Sequence, residues 1–329
     1  MIRRDFITIL AGAAAAWPLR STAQVRSIPV IGFLHSQSSA PSDLDVARFR
    51  EGLGEQGFVE GQSVKIEFRW GDNRLATLSA LAADLVQHRV ALIFTDGGLV
   101  AARAAQSASA TIPIVFVVGL DPAENGFVAS LNRPGGNATG VANYSREIAP
   151  KRLELLRELV GPTTKIAFLI NADDTNFGPG AKRQVQDEKN WALQHTDLVL
   201  DARSEDQIAP SFATAAKQGI GALLVGSDPF FTNRRNLLVA LAAQHALPTG
   251  YQPREFADAG GLMSYGPNRS ASLRQAGIYA GRILKGANPA EMPIWTPNKF
   301  ELVINLKTAK TLGLTVPVSV LLSADEIIR

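Results

Sequence analysis

Cysteine is absent from all 329 residues. Its absence excludes disulfides, thiolate metal sites, a cysteine nucleophile and the lipid-attachment cysteine of a lipoprotein, so stability has to come from packed core. Histidine occurs four times, at His35, His88, His195 and His245, widely spaced and never as the HExxH pair of a zinc hydrolase. Lysine and arginine form no cluster on any segment. The formal net charge of +3 therefore gives no footprint for nucleic acid or an anionic membrane. No GxxxxGK[ST] loop is present, and Gly178-Pro179-Gly180-Ala181-Lys182-Arg183 lacks the third glycine of a dinucleotide fingerprint and follows a loop instead of a strand. Leu262-Met263-Ser264-Tyr265-Gly266 has leucine where a serine-hydrolase elbow needs glycine. Neither a metal nor a cofactor is expected.

Only the N-terminus carries a long apolar run. Arg3 and Arg4 precede an apolar stretch from Phe6 to Trp17, then Pro18 and the small residues Ser21-Thr22-Ala23. This order is that of a secretory signal occupying residues 1–23, cleaved near Ala23 to leave Gln24 first. At about a dozen residues the run is too short for the roughly 20 that span a bilayer, and no second stretch approaches that length. A buried N-terminal helix is the alternative, but such a helix should show a polar face and this one has none. Arg3-Arg4-Asp5-Phe6-Ile7 resembles a twin-arginine signal, with Ile2 standing where Ser or Thr is usual, so the Sec and twin-arginine routes both stay open. Loss of the segment removes three arginines and one aspartate and leaves a net charge of about +1. The Asn137-Ala138-Thr139 sequon has no meaning in a bacterial product.

The remaining chain, 46% hydrophobic overall, alternates short β-branched runs with longer amphipathic ones. Strands are expected at 28–34, 64–70, 91–95 and 113–118. Between them lie helices with Val46, Phe49 and Leu53 on one face after a Ser42 N-cap, with Leu75, Leu78, Ala82 and Leu85, and from Leu99 onward. The pattern restarts with a helix through Leu153, Leu156 and Leu159. Strands follow at 165–170, 197–200, 221–225 and 248–251, and helices at 179–194, 205–217 and 232–246. Two such series predict an α/β protein of two doubly wound, Rossmann-like lobes. The turn-rich segment 132–137 marks the first crossing. Leu273, Ala276, Ala280 and Ile283 define one more helix packing on the first lobe, and Phe300 to Ile304 crosses back to the second. The expected partition is 28–143 plus about 266–290 for the N-terminal lobe and 144–265 plus about 291–329 for the C-terminal lobe, with hinge strands near 140–144, 264–267 and 295–297.

In open α/β sheets ligands bind beyond the carboxyl ends of the strands. The loops there contain His35-Ser36-Gln37, Asp96-Gly97-Gly98, Gly119, Asn171, Ser227-Asp228 with Phe230, and Tyr251 through Glu255. They combine hydroxyls, backbone amides, carboxylates and a few aromatics, which suits a small polar or zwitterionic solute. A ligand carboxylate would use Ser36 and the Gly97-Gly98 turn at a helix start. An ammonium would use Asp228 or Glu255, and an apolar group Phe230 or Tyr251. The competing readings are ordinary: Gly97-Gly98 as a tight turn, Asp228-Pro229 as a helix cap and Tyr251 as core.

Several blocks in one order resemble a known family. They are Arg3-Arg4-Asp5-Phe6-Ile7-Thr8, Phe49-Arg50-Glu51-Gly52-Leu53, Ile112-Pro113-Ile114-Val115-Phe116 and Gly126-Phe127-Val128-Ala129-Ser130-Leu131 with Arg133-Pro134-Gly135-Gly136-Asn137. Asp121-Pro122, Gly260-Gly261-Leu262-Met263-Ser264-Tyr265-Gly266 and the block from Phe300 to Lys310 complete the set. The chain resembles the ABC-transporter substrate-binding proteins typified by the tryptophan-binding TrpX-like group, which have a type I periplasmic-binding-protein fold. The resemblance implies a periplasmic monomer that traps a small molecule, aromatic or other amino acids among the possibilities, between two lobes. Its partners would be a membrane permease and a separate ATPase. By matching position, Asn143 and Ser264 join the cleft-lining residues. The rivals are an exported ligand-sensing module of identical fold and an exported α/β hydrolase acting at Ser264 or Asp228.

Overall fold

The structure is a computed structural model that describes residues 28–36, 43–72, 74–144, 148–172 and 179–329. The expected signal segment, Gln37, the Ser42 cap and Gly178 lie outside the described residues.

The first half runs β1 (Val30–His35), α1 (Asp43–Glu55), β2 (Lys65–Trp70), α2 (Leu78–Gln87), β3 (Leu92–Asp96), α3 (Leu99–Ala108), β4 (Ile114–Val118) and β5 (Ala138–Ala142). These strands form one parallel sheet in the order β2-β1-β3-β4-β5. Strand periodicity sorts the core onto its two faces. Ile31, Phe33, Leu92, Phe94, Val115 and Val117 point to one side, and Leu34, Ile93, Ile114, Phe116 and Val118 to the other. Because helices cover both faces, β3 and β4 are buried along their whole length.

The second half continues with α4 (Ala149–Val160), β6 (Ile166–Ile170), α5 (Pro179–His195), β7 (Leu198–Asp201), α6 (Glu205–Lys217), β8 (Ala222–Val225), α7 (Pro229–Asn233), α8 (Arg235–Gln244), β9 (Thr249–Tyr251), α9 (Arg254–Asp258) and β10 (Met263–Pro267). Then come α10 (Arg269–Leu284), β11 (Phe300–Asn305), α11 (Leu306–Thr311), α12 (Val318–Ser323) and β12 (Glu326–Ile328). The second sheet has the order β12-β11-β10-β9-β8-β6-β7. It is parallel except where β11 runs antiparallel to β10. The single helix expected over 232–246 is two, α7 and α8, broken at Arg234, whose backbone leaves the helical region at φ −108°, ψ 22°.

The chain passes between the lobes three times. Residues 138–142 first complete the edge of the first sheet as β5, and the chain then leaves for α4. It returns after Pro267, which still pairs with Phe300 in the second sheet. It leaves finally beyond Trp295, whose amide bonds Gly140 and whose carbonyl bonds Ala142. The helix between the last two passages, α10, buries Leu273, Ala276, Ala280 and Ile283 with Phe49 and Leu53 of α1. The two helices cross at glycines: a Cβ on Gly52 would lie 1.9 Å from the Arg274 carbonyl oxygen, and one on Gly277 would lie 2.1 Å from that of Phe49. Only residues without a side chain allow so close an approach.

Candidate functional site

The carboxyl ends of both sheets face a shared cavity of about 300 Å³. That is the lower end of the roughly 300–1,000 Å³ typical of small-molecule sites, room for one small solute. The first lobe contributes Asp45, Asp96 to Leu99, Val117 to Leu120 and Asn143, and the second contributes Ser227 to Pro229, Arg235, Gln252 to Glu255 and Ser264. Of the residues singled out in the sequence, the cavity therefore brings together Asp96, Gly97, Gly98, Gly119, Asn143, Ser227, Asp228, Glu255 and Ser264.

The other described candidates, His35, Ser36, Asn171, Phe230 and Tyr251, are not among the lining residues. His35 shares the face of β1 that carries Phe33, so its ring packs against Trp70 with centroids 5.4 Å apart, 1% exposed, and supports Asp96 from behind. Ser36 is buried and donates its hydroxyl to the Gly97 carbonyl at 3.0 Å, tying the two loops together. A Cβ at Gly97 would sit 2.2 Å from that hydroxyl, and its φ of +99° independently favours glycine. Asn171 stands beside Asp228, its Nδ2 3.5 Å from Oδ2. Phe230 turns back onto the Arg234 guanidinium, 4.1 Å above its ring. Tyr251 is core: it has no exposure, stacks on Phe256 at 4.3 Å and, by burial, has its hydroxyl pushed above the ordinary tyrosine range. The apolar wall is made instead by Leu44, Leu99 and Leu120 with prolines, and no aromatic ring lines the cavity among the described residues.

Arg269 organises the charged part of the cleft, and sequence reasoning did not single it out. Its Nη2 donates to Asp96 Oδ2 at 2.7 Å and to Asp45 Oδ2 at 2.8 Å. Its Nε lies 3.7 Å from Glu255 Oε1 of α9, a contact made across the cleft. Burial of Asp96 works to raise its carboxyl, but the Arg269 charge, with His35 and the Gly97 amide, holds it well below the usual carboxylate range. The same carboxylates hold the Arg269 guanidinium well above its ordinary value despite its burial. A local sign was present in the sequence: a cation in the first turn of a helix opposes the helix dipole, and such conflicts concentrate at functional sites. Asn268, which precedes it, caps α10 by accepting the Ala271 amide at 2.7 Å.

Further charges complete the lining. Arg254 is paired with Asp258 and with Glu326, and Glu301 accepts a hydrogen bond from Asn268. Arg235 reaches the Thr232 carbonyl at 3.4 Å. Asp228 caps α7, accepting the Phe230 amide at 2.6 Å. Ser227 accepts from Nη1 of Arg152 at 2.7 Å; that arginine is fully buried on α4, and burial lowers it to about 10 against the opposing pull of Glu188. Two polar atoms at the cleft have no hydrogen-bond partner among the described residues: Ser264 Oγ, on a residue only 1% exposed, and Glu255 Oε2. The first turn of α3 begins at Gly98 with no side-chain cap among the described residues, and Gly97, Gly98 and Leu99 line the same space. The lining contains no histidine among the described residues, so Ser264 has no imidazole base beside it.

Two α/β lobes of this topology with a polar cavity between them define a solute-binding protein of the type I periplasmic-binding-protein fold. The sequence model for "ABC transporter substrate binding protein" matches residues 27–328, and the chain belongs to that family. A curated relative, the tyrosine-binding protein of Clostridioides difficile strain R20291, is 28% identical over 295 residues, covering 89% of this chain and 82% of that protein. Among solved structures, an ABC domain from Streptococcus pneumoniae in complex with L-Trp superposes with a TM-score of 0.80 at 26% identity, covering 92% of this chain and 100% of that one. A ligand-free, open substrate-binding protein from Clostridium difficile gives a TM-score of 0.66 at 23% identity, over 92% of this chain and 99% of that one. No helix among the described residues is long and apolar enough to cross a membrane.

Proposed function

We propose that this protein is the extracytoplasmic receptor of an ABC importer, capturing a free amino acid or a closely similar zwitterion between its lobes and handing it to a permease powered by a separate ATPase. The observation that carries this reading is the cavity itself. Its wall is shared by both lobes and offers uncapped amides at α3 to a carboxylate and the Glu255 and Asp228 carboxylates to an ammonium. Each lobe supplies half the contacts, so ligand favours the closed arrangement only by touching both. Taking closed:open from 1:99 to 99:1 requires about 10⁴-fold tighter binding by the closed form. The tyrosine-binding relative and the L-Trp complex support an amino acid over a sugar as ligand. Export through the N-terminal segment, periplasmic residence and the lobe boundaries at 28–143 with 266–290 and 144–265 with 291–329 belong to the same proposal. So does the absence of catalysis.

A thermal-shift screen of the purified protein against the twenty common amino acids, simple amines and small sugars tests it. A solute at 100 times its Kd adds about 2.7 kcal/mol to the folded state, so one amino-acid class is expected to raise the melting temperature clearly while sugars leave it unchanged. A shift from sugars alone, or turnover of the bound solute, would overturn the reading.

A further inference from the structure

The cavity is far more acidic than the chain that contains it. The whole sequence carries a formal charge of +3, yet among the described residues six lining carboxylates face three guanidinium groups, a local formal excess of three negative charges. Two of the arginines are already bound to carboxylates, Arg254 to Asp258 and Arg269 to Asp45 and Asp96. Low-dielectric walls focus such a field into the space between the lobes. An acidic lining alone could be a solvated surface, but here buried hydrogen-bonding capacity is also unused. Ser264 Oγ, on a residue 1% exposed in β10, and Glu255 Oε2 at the start of α9 both lack a partner among the described residues. Polar atoms this enclosed are seldom left unsatisfied in a folded protein unless something else completes them.

Resting on the amino-acid reading above, we infer that the cleft selects a cationic amino acid, one whose side chain adds a second positive group to the ammonium. The geometry divides the work. The α3 amides, with Arg235 as the lining cation for which no carboxylate pair is seen among the described residues, suit a single ligand carboxylate, while the surplus carboxylates exceed what one ammonium can neutralise. Glu255 Oε2 and Ser264 Oγ accept the N–H groups of the ligand's cations. The aliphatic stem lies against Leu99 and Leu120, in keeping with a lining that has no aromatic ring among the described residues. Arg269 fixes the pole of the site, since its hold on Asp45 and Asp96 leaves Glu255, its most distant carboxylate contact at 3.7 Å, able to turn toward the ligand.

The test pairs each cation with an uncharged analogue of similar shape. L-arginine against L-citrulline and L-lysine against L-norleucine are titrated calorimetrically into the purified protein, together with L-glutamate, L-tyrosine and L-tryptophan. A charge-assisted hydrogen bond makes L-arginine or L-lysine about tenfold or more tighter than its analogue. Glu255→Gln is expected to abolish most of that preference, and Ser264→Ala to reduce affinity severalfold, both with wild-type circular dichroism. Equal affinity for the paired solutes, or tighter binding of L-tyrosine, L-tryptophan or L-glutamate, would overturn the inference while leaving the amino-acid reading intact. Failure of every amino acid to bind overturns that reading and the inference with it. The paired-solute comparison needs no variant, so misfolding of Glu255→Gln does not blunt it.

Discussion

Replacing Arg269 by glutamine removes the charge facing Asp45 and Asp96 while keeping most of the side chain's bulk. Asp96 bears the loss, because its side chain is 3% exposed and, among the described residues, the His35 ring, 3.6 Å away, and the Gly97 amide are what remain beside it. Breaking a buried pair from one side costs about 3–5 kcal/mol. Arg269 is itself 31% exposed and Asp45 17%, so solvent screens part of the interaction and the lower end, about 3 kcal/mol at pH 7, is expected. The pH dependence is more diagnostic than the magnitude. In the wild type the folded-state value of Asp96 is depressed, so its stabilisation is complete above the unfolded-state value of about 3.9 and is lost as pH falls below it. In the variant, burial without the arginine raises that value, and stability is lost as pH rises through it. The gap between the two proteins should therefore widen from pH 4.5 to pH 7.5. Urea unfolding of ligand-free protein, followed by the fluorescence of Trp70 beside His35, measures it. Arg269→Gln with Asp96→Asn is the control; it should recover most of the loss and show a nearly constant gap. A single variant as stable as wild type at pH 7, or a gap independent of pH, would refute the reasoning.

Two further outcomes are expected. Gly52→Ala should destabilise by about 1–3 kcal/mol or more, because the new methyl meets the α10 backbone. Gly54→Ala, in the same helix with no neighbour within 4 Å, should gain up to about 1 kcal/mol, and equal melting temperatures for the two would contradict the crossing described above. Asp228→Ala should cost about 1 kcal/mol through loss of the α7 cap and should weaken calorimetric binding of whichever amino acid stabilises the wild type. Unchanged affinity would confine Asp228 to its capping role.

Much of the architecture was legible because it is written locally. The face of α10 could be read from the spacing of Leu273, Ala276, Ala280 and Ile283, and all four lie in the core beneath the first sheet. The loops at strand ends were legible for the same reason, since a run such as Ile114 to Val118 announces where it stops. Which loop side chains face the ligand was less accessible. His35 and Asp96 end neighbouring strands in register, yet Asp96 lines the cavity and His35 packs behind it on Trp70. Tyr251 occupied a plausible position and turned into core, because the end of β9 is covered by Phe256 of α9, which follows directly.

The sequence by itself determined the strands, the helices and the faces they bury, because side-chain periodicity of two or 3.6 residues is a property of a dozen neighbouring positions. Only the tertiary structure decided the charge arrangement of the cleft. Arg269 meets Asp96 across 173 residues of chain and Asp45 across 224, and it comes within reach of Glu255 only where the two lobes oppose each other. Electrostatic attraction depends on distance through space, and that distance is set by how the sheets and their crossovers stack, which no local pattern encodes.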